Sequence, residues 1–390
     1  MPSVPTTWRD LSDPALSADP YPALAADRAR GAVLRHEPSG AWWVLGHAAV
    51  TTAQRDRRLG RVWRDREPRE LLEPFNLLHR HQMMENEPPE HTRLRRPVAG
   101  AFARGHVERL RPRVRELATG LLDAVAGEDF DLVHDYAEPL PVLVIAELLG
   151  VPSTHADDLR LWSQAIVRMY EPGSGDPDGP VVRAAVAAAT DFADLVADLA
   201  DERRRRPAED LITDLVATQL SREEVVAAVV LLLNAGHEAS VNVFGNGAVA
   251  MLRAGLRPGD DVPACVEEML RFDAALQLFE RTALADLEIA GVPVTEGERV
   301  ALLLGAANRD PAVFEEPDRF DVARAVNPHV AFGVGVHFCL GAPLARMELA
   351  EAVGLLWQRF PDLALAGEPV SRGTFVLRGH SSVPVTAQPS

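Results

Sequence analysis

The chain is 390 residues long and 47% hydrophobic, enough apolar material to bury a large core, and carries a formal net charge of −17. That charge excludes general nucleic-acid binding, which needs a basic footprint, and only two cysteines, Cys265 and Cys339, exclude a disulfide framework and suit a reducing compartment. Residues 1–19 hold neither a basic start followed by an apolar run nor a span of about 20 apolar residues, so the expectation is an unexported, cytoplasmic protein with no membrane segment, acting on a small molecule.

Taken in order, the pattern is mostly helical. Strand-like alternation is confined to 41–45, the stretch after Arg281, 375–377 and 383–386, which predicts a mainly α fold with small β-sheets in one domain over 1–390. Pro88-Pro89-Glu90-His91-Thr92-Arg93-Leu94-Arg95-Arg96 opens a helix on which His91 and Arg95, four apart, share a face. Pro97 has no backbone N–H and predicts a kink or an early end to that helix. Stretches 106–125, 181–205 and 342–358 read as long amphipathic helices. The arginines at 93, 95, 96, 104, 109, 111, 113 and 115 stand out in an acidic chain, as a solvated helix face or a docking surface. The prolines and glycines of 171–180 forbid a helix and predict a mobile surface loop, either a plain connector or part of a lid.

A further long helix begins near Ser221, an N-cap with Glu224 at the capping-box position. Within it, Leu231-Leu232-Leu233-Asn234-Ala235-Gly236-His237-Glu238-Ala239-Ser240 sets a glycine beside an acid in an apolar run. A helix-interior glycine costs about 1 kcal/mol relative to alanine, which points to a packing or functional reason. The flanking leucines predict burial of Glu238. Glu268 and Arg271 are three apart on one helix face and by themselves read as an ordinary ion pair. Finally, Phe332-Gly333-Val334-Gly335-Val336-His337-Phe338-Cys339-Leu340-Gly341 places one cysteine in a glycine-hinged loop just before a helix. A thiolate that ligates iron must be shielded from water and met by backbone N–H groups, and Gly333, Gly335 and Gly341 supply the backbone freedom for that.

This loop resembles the cysteine-ligand loop of cytochromes P450 at every expected position. The resemblance implies the P450 fold, with haem b held through Cys339 and lying against Phe332, Gly333, Gly341 and Ala235. It implies that His91, Arg95, Arg281 and His337 meet the haem propionates by charge-assisted bonds. Glu268 and Arg271 match the Glu-x-x-Arg motif and Arg319, in Pro317-Asp318-Arg319-Phe320, the meander arginine, which implies a buried Glu268–Arg271–Arg319 network. Residues 234–240 match the oxygen-binding groove, with Ala235 and Gly236 leaving room and Glu238 as the acid of a proton relay.

Ala239 departs from the pattern, standing where most members carry threonine. A methyl group neither donates nor accepts a proton, so Ser240, a water held by Glu238, or the substrate must take over. By family position the substrate pocket draws on residues around 63–84, including Met83, and on Met169, Leu232, Asn234, Leu276, Leu278 and Phe279. The reaction implied is insertion of one oxygen atom of O2 into a C–H bond, or epoxidation, and the Ala-, Arg- and Asp-rich composition suggests secondary-metabolite tailoring. Ring coupling, desaturation and a non-catalytic partner role are the alternatives; Cys339 counts against the last. With no Gly-x-Gly-x-x-Gly turn after a strand, electrons are expected from a separate ferredoxin, with the arginine run as a candidate dock.

Overall fold

The computed structural model describes residues 4–127 and 129–386. Its axis is the Arg222–Ala254 helix, started by a complete capping box: the Ser221 hydroxyl accepts from the Glu224 N–H (3.2 Å) and the Glu224 carboxylate from the Ser221 N–H (2.8 Å). Gly255, at φ 64°, ends it. By length and composition this helix is able to cross a membrane, but 78% of its most apolar window is buried inside the protein, as for a core helix hydrophobic all round. Around it pack the helices Arg69–Arg80, Pro139–Leu149, Ala156–Val167, Pro180–Arg205 and Val262–Phe272. Helices Arg104–Ala124 and Ala342–Arg359 lie against each other on the side of the cysteine loop.

A six-stranded sheet covers the other side of the central cavity, in spatial order Thr6–Thr7, Val33–His36, Ala41–Val44, Arg299–Leu303, Leu278–Ala283 and Leu59–Gly60. The strand expected after Arg281 starts earlier and contains it, with Arg281 opposite Val300. At 383–386 the strand is Pro384–Thr386, paired to Ala364–Leu365 and Phe130–Asp131.

Residues 375–377 form only a single antiparallel bridge, Leu377 to Leu276, with Gln277 N–H donating to the Val376 carbonyl (3.0 Å) and Arg378 N–H to the Ala275 carbonyl (2.8 Å). The Glu171 carboxylate accepts from the N–H groups of Phe375 (2.8 Å), Val376 (3.0 Å) and Leu377 (3.0 Å), replacing much of the ladder that a neighbouring strand would have provided. The breaker segment expected to be mobile is therefore pinned at its first residue. Pro97 does not end its helix, which runs Glu90–Ala99 with the proline in the last turn.

Candidate active site

The cysteine loop is held at several points. Val330 N–H donates to Asn308 Oδ1 (2.8 Å), Val334 N–H to Gln54 Oε1 (3.0 Å) and Cys339 N–H to the Phe332 carbonyl (2.9 Å). Gly335 sits at φ +81°, and a Cβ there would stand 2.5 Å from the Gln54 carbonyl oxygen, so the turn requires glycine. Glu267 fastens the flanks: it takes Arg346 at 2.5 and 2.8 Å and His329 at 2.9 Å, and the Arg346 guanidinium covers the Phe332 ring. Burial opposes ionisation of Glu267, but these two partners outweigh it and hold the carboxyl at about 2. Cys339 faces a cavity of about 1190 Å³. Burial pushes its thiol above the ordinary value, while the N–H groups of Gly341 and Ala342 and the Arg95 charge pull the other way, toward the thiolate.

Around the same cavity are cations and imidazoles lacking anions. Neither ring nitrogen of buried His91 has a hydrogen-bond partner among the described residues, and burial, then His337 and Arg95, lower its pKa to about 4. Arg281 is buried, donates only to the Glu280 carbonyl (3.0 Å) and makes no ion pair among the described residues; burial and repulsion from Arg61 bring its pKa to about 9. Arg95 donates to the Phe338 carbonyl (2.7 Å) and likewise has no carboxylate among the described residues. A buried cation without an anion is costly, so this set fits a group bearing two carboxylates. His337 is already partly engaged, its Nε2 bonding Glu87 at 2.8 Å.

A family model described as cytochrome P450 matches residues 262–368. Cytochrome P450 107B1 of Saccharopolyspora erythraea is 41% identical over 320 residues, 78% of this chain and 76% of that protein. The 6-deoxyerythronolide B hydroxylase of the same organism is 35% identical over 97% of this chain and 99% of its own length. The chain belongs to the cytochrome P450 family. A solved structure of P450BioI with hexadec-9Z-enoic acid ligated acyl carrier protein superposes with a TM-score of 0.90 at 31% identity, covering 96% of this chain and 100% of that one. This P450 is an oxidoreductase whose cofactor is haem b. Cys339, His91, Arg95 and Arg281 are the residues whose chemistry fits it.

In the central helix of this P450, Ala235, Gly236, Glu238, Ala239 and Ser240 all border the cavity. Ala235 is the open position, exposed although its helix is buried. Gly236 also serves packing: a Cβ there would lie 3.2 Å from Ile145 of the Pro139–Leu149 helix. Glu238 is buried and its Oε2 accepts from Arg372 Nη1 (2.8 Å), while Arg372 Nη2 reaches Glu138 (2.7 Å), which also meets Gln164 (3.0 Å) and Arg160 (3.4 Å). Glu238 Oε1 makes no hydrogen bond among the described residues, with His237 Nδ1 3.5 Å away, and burial raises the Glu238 pKa against the pull of Arg372. Ser240 makes no side-chain hydrogen bond among the described residues.

Two expected positions are corrected. Arg319 is not in the buried network: its side chain is 60% exposed and pairs with Glu316 (3.0 Å) and Asp321 (3.3 Å), and only its carbonyl accepts from Arg271 (3.2 Å). The third member is Arg324, whose Nε lies 3.1 Å from Glu268 Oε2. Glu268 and Arg271 are both fully buried and doubly bonded at 2.7 and 2.8 Å. The chain reverses between 316 and 324, with Glu316 at φ 42°, so the later arginine turns inward. Met169 does not line the cavity; it is 1% exposed in the helical core, and its carbonyl is the part that faces a partner. Met83, Leu232, Asn234, Leu276, Leu278 and Phe279 do line it, with Trp63, Met84 and Tyr170.

Half of the arginine run is neutralised within the fold. Arg93 is held by Glu90 and Glu224, Arg111 by Glu108 and Glu351, Arg113 by Glu116 and Glu147, and Arg115 by Glu351. Arg96, Arg104 and Arg109 are exposed and without a carboxylate among the described residues. Sequence reasoning missed Arg372 and Glu138, which are distant in the chain, and Glu348, which borders the cavity fully buried, its pKa raised by burial to about 8. A signal for Glu348 existed: Leu344 and Ala352, one turn to either side, are apolar and mark its helix face as core.

Proposed function

We propose that the chain is a cytoplasmic, single-domain haem-thiolate monooxygenase that hydroxylates or epoxidises a small, largely apolar organic molecule in secondary-metabolite tailoring, drawing electrons from a separate ferredoxin. The observation that carries this reading is the juxtaposition of Cys339, in a loop rich in inward backbone donors, with the unpaired His91, Arg95 and Arg281 around one cavity. When bound through Cys339, haem supplies the oxygen activation: O2, two electrons and two protons yield one oxygen atom for the substrate and one water.

The protein's part is to position and to exclude water. Met83, Leu232, Leu276, Leu278 and Phe279 present apolar surface to the substrate, while Asn234, whose Oδ1 has no partner, offers it one acceptor. Proton delivery falls to Glu238 and Ser240. Glu238 has a carboxylate oxygen without a hydrogen bond among the described residues, Arg372 links it through Glu138 to the partly exposed Arg160, and the Ser240 hydroxyl is available to hold a water where Ala239 has only a methyl group. The relatives' names, one a hydroxylase of 6-deoxyerythronolide B and one a structure with a fatty acid ligated to acyl carrier protein, support an oxygenase on organic substrates.

The test is spectroscopic. The reduced carbon monoxide complex of the wild type should show the red-shifted Soret band of a thiolate-ligated haem, and Cys339→His should abolish it while Cys265→Ala leaves it in place. An unshifted band in folded wild-type protein would refute the ligand assignment.

A further inference from the structure

With the haem carboxylates matched to His91, Arg95 and Arg281, two cations bordering the cavity make no ion pair among the described residues: Arg64, which is exposed, and Arg66, which is partly buried. The Arg66 backbone is clamped by Asn76, fully buried, which accepts from the Arg66 N–H (2.9 Å) and donates to the Arg66 carbonyl (3.0 Å). The guanidinium lies 5.2 Å from the centre of the Phe75 ring and uses one N–H, from Nη1, on the Met169 carbonyl (2.6 Å). It makes no ion pair among the described residues. The acids close enough to act on its charge, Glu85 and Glu280, are committed elsewhere: Arg61 takes both oxygens of Glu85, and Glu280 lies 3.7 Å from Arg299. The neighbouring wall is aromatic, with Trp63 stacked on His79, His79 on Phe75, and Tyr170 bonded to His79 at 2.9 Å. Burial accordingly depresses the Arg66 pKa.

A guanidinium has five donors in a planar fork that matches a carboxylate, and holding it in an apolar wall with one bond made is unfavourable unless an anion arrives. We propose that Arg66 anchors a carboxylate of the substrate, so that this P450 selects organic acids and holds them by the acid end while the remainder of the molecule extends along the apolar wall toward Cys339. The inference rests on the haem-thiolate reading above and narrows its substrate class. Because Asn76 and Met169 both restrain Arg66, the anchor is preorganised and does not need to be drawn in from solvent.

The experiment is a titration of the ferric holoprotein at neutral pH, following the substrate-induced Soret shift. The probes are decanoic acid and adamantane-1-carboxylic acid, each compared with the corresponding alcohol. Wild type should bind at least one acid about tenfold or more tighter than its alcohol, the advantage of a charge-assisted pair over a neutral one. Arg66→Gln should erase that preference while leaving the Kd of the alcohol unchanged, and Arg66→Lys should retain part of it. No shift with either acid, no preference for acids in wild type, or an equal weakening of acid and alcohol in Arg66→Gln would overturn the proposal and leave Arg66 a structural tie to Met169. The reduced carbon monoxide spectrum, recorded on each sample, separates these results from failure of the haem-thiolate reading, in which the wild-type band itself would be unshifted.

Discussion

Replacing Glu238 by glutamine separates proton delivery from architecture. One carboxylate oxygen is bonded to Arg372 at 2.8 Å, the other makes no hydrogen bond among the described residues and lies 3.5 Å from His237 Nδ1, and Arg372 keeps a second carboxylate, Glu138, at 2.7 Å. Glutamine preserves the shape and an acceptor for Arg372, so the substitution strands no charge. The attraction lost is offset in part, because burying an ionised Glu238 is itself unfavourable, as its raised pKa records. The net cost to folding is on the order of 1 kcal/mol. Losing a placed proton donor, by contrast, costs roughly 10²- to 10⁴-fold in rate, about 3–5 kcal/mol of barrier. With a surrogate ferredoxin and reductase and a substrate found by Soret titration, Glu238→Gln should form product at least a hundredfold more slowly. Hydrogen peroxide should account for the oxygen consumed, and haem content and substrate Kd should be unchanged. Arg372→Met is the counterpart: it leaves Glu238 as a buried acid without its cation, raising its pKa further and moving the alkaline limb of the pH–rate profile, on which the donor loses its proton, to higher pH. Wild-type turnover and coupling in Glu238→Gln would refute the relay, and an unshifted profile in Arg372→Met would sever the link between the two residues.

Arg324→Ala, which removes a buried partner of Glu268, should lower stability by about 3 kcal/mol in chemical denaturation, against less than about 1 kcal/mol for Arg319→Ala, whose pairs are exposed; equal losses would return Arg319 to the network. Glu348 should make stability fall with rising pH. Its folded pKa of about 8 exceeds the 4.5 of the unfolded chain, so its contribution is whole below about pH 4.5 and is lost as pH climbs to about 8, with a slope of up to about 1.4 kcal/mol per pH unit that Glu348→Gln should flatten. For the electron donor, reversing Arg96, Arg104 and Arg109 to Glu should slow reduction by an acidic ferredoxin and weaken its salt dependence, charges being screened within about 8 Å at physiological ionic strength. Reversing Arg113, already paired with Glu116 and Glu147, should do less, and a salt-independent wild-type rate would count against this patch.

Local signals decided a good deal of this protein. Capping chemistry placed the start of the central helix at Ser221, amphipathic periodicity located the helices later found at Arg104–Ala124, Pro180–Arg205 and Ala342–Arg359, and the spacing of glycines about Cys339 marked the ligand loop. Each of these depends on interactions within a few residues, which is why they are legible in one dimension. What the fold decided depends on residues far apart. Whether Arg319 or Arg324 reaches Glu268 turns on how the chain reverses between them, and 375–377 pairs through only one bridge, to Leu276, while Glu171, some two hundred residues earlier, takes its N–H groups. Charge is the clearest case. In sequence the arginines from 93 to 115 form one basic run and Arg66 is an unremarked residue in an acidic chain. Tertiary packing supplies carboxylates to half of the run and leaves Arg66 without one at the cavity wall, because an arginine's role is set by the anions brought within a few ångströms of it, not by its neighbours along the chain.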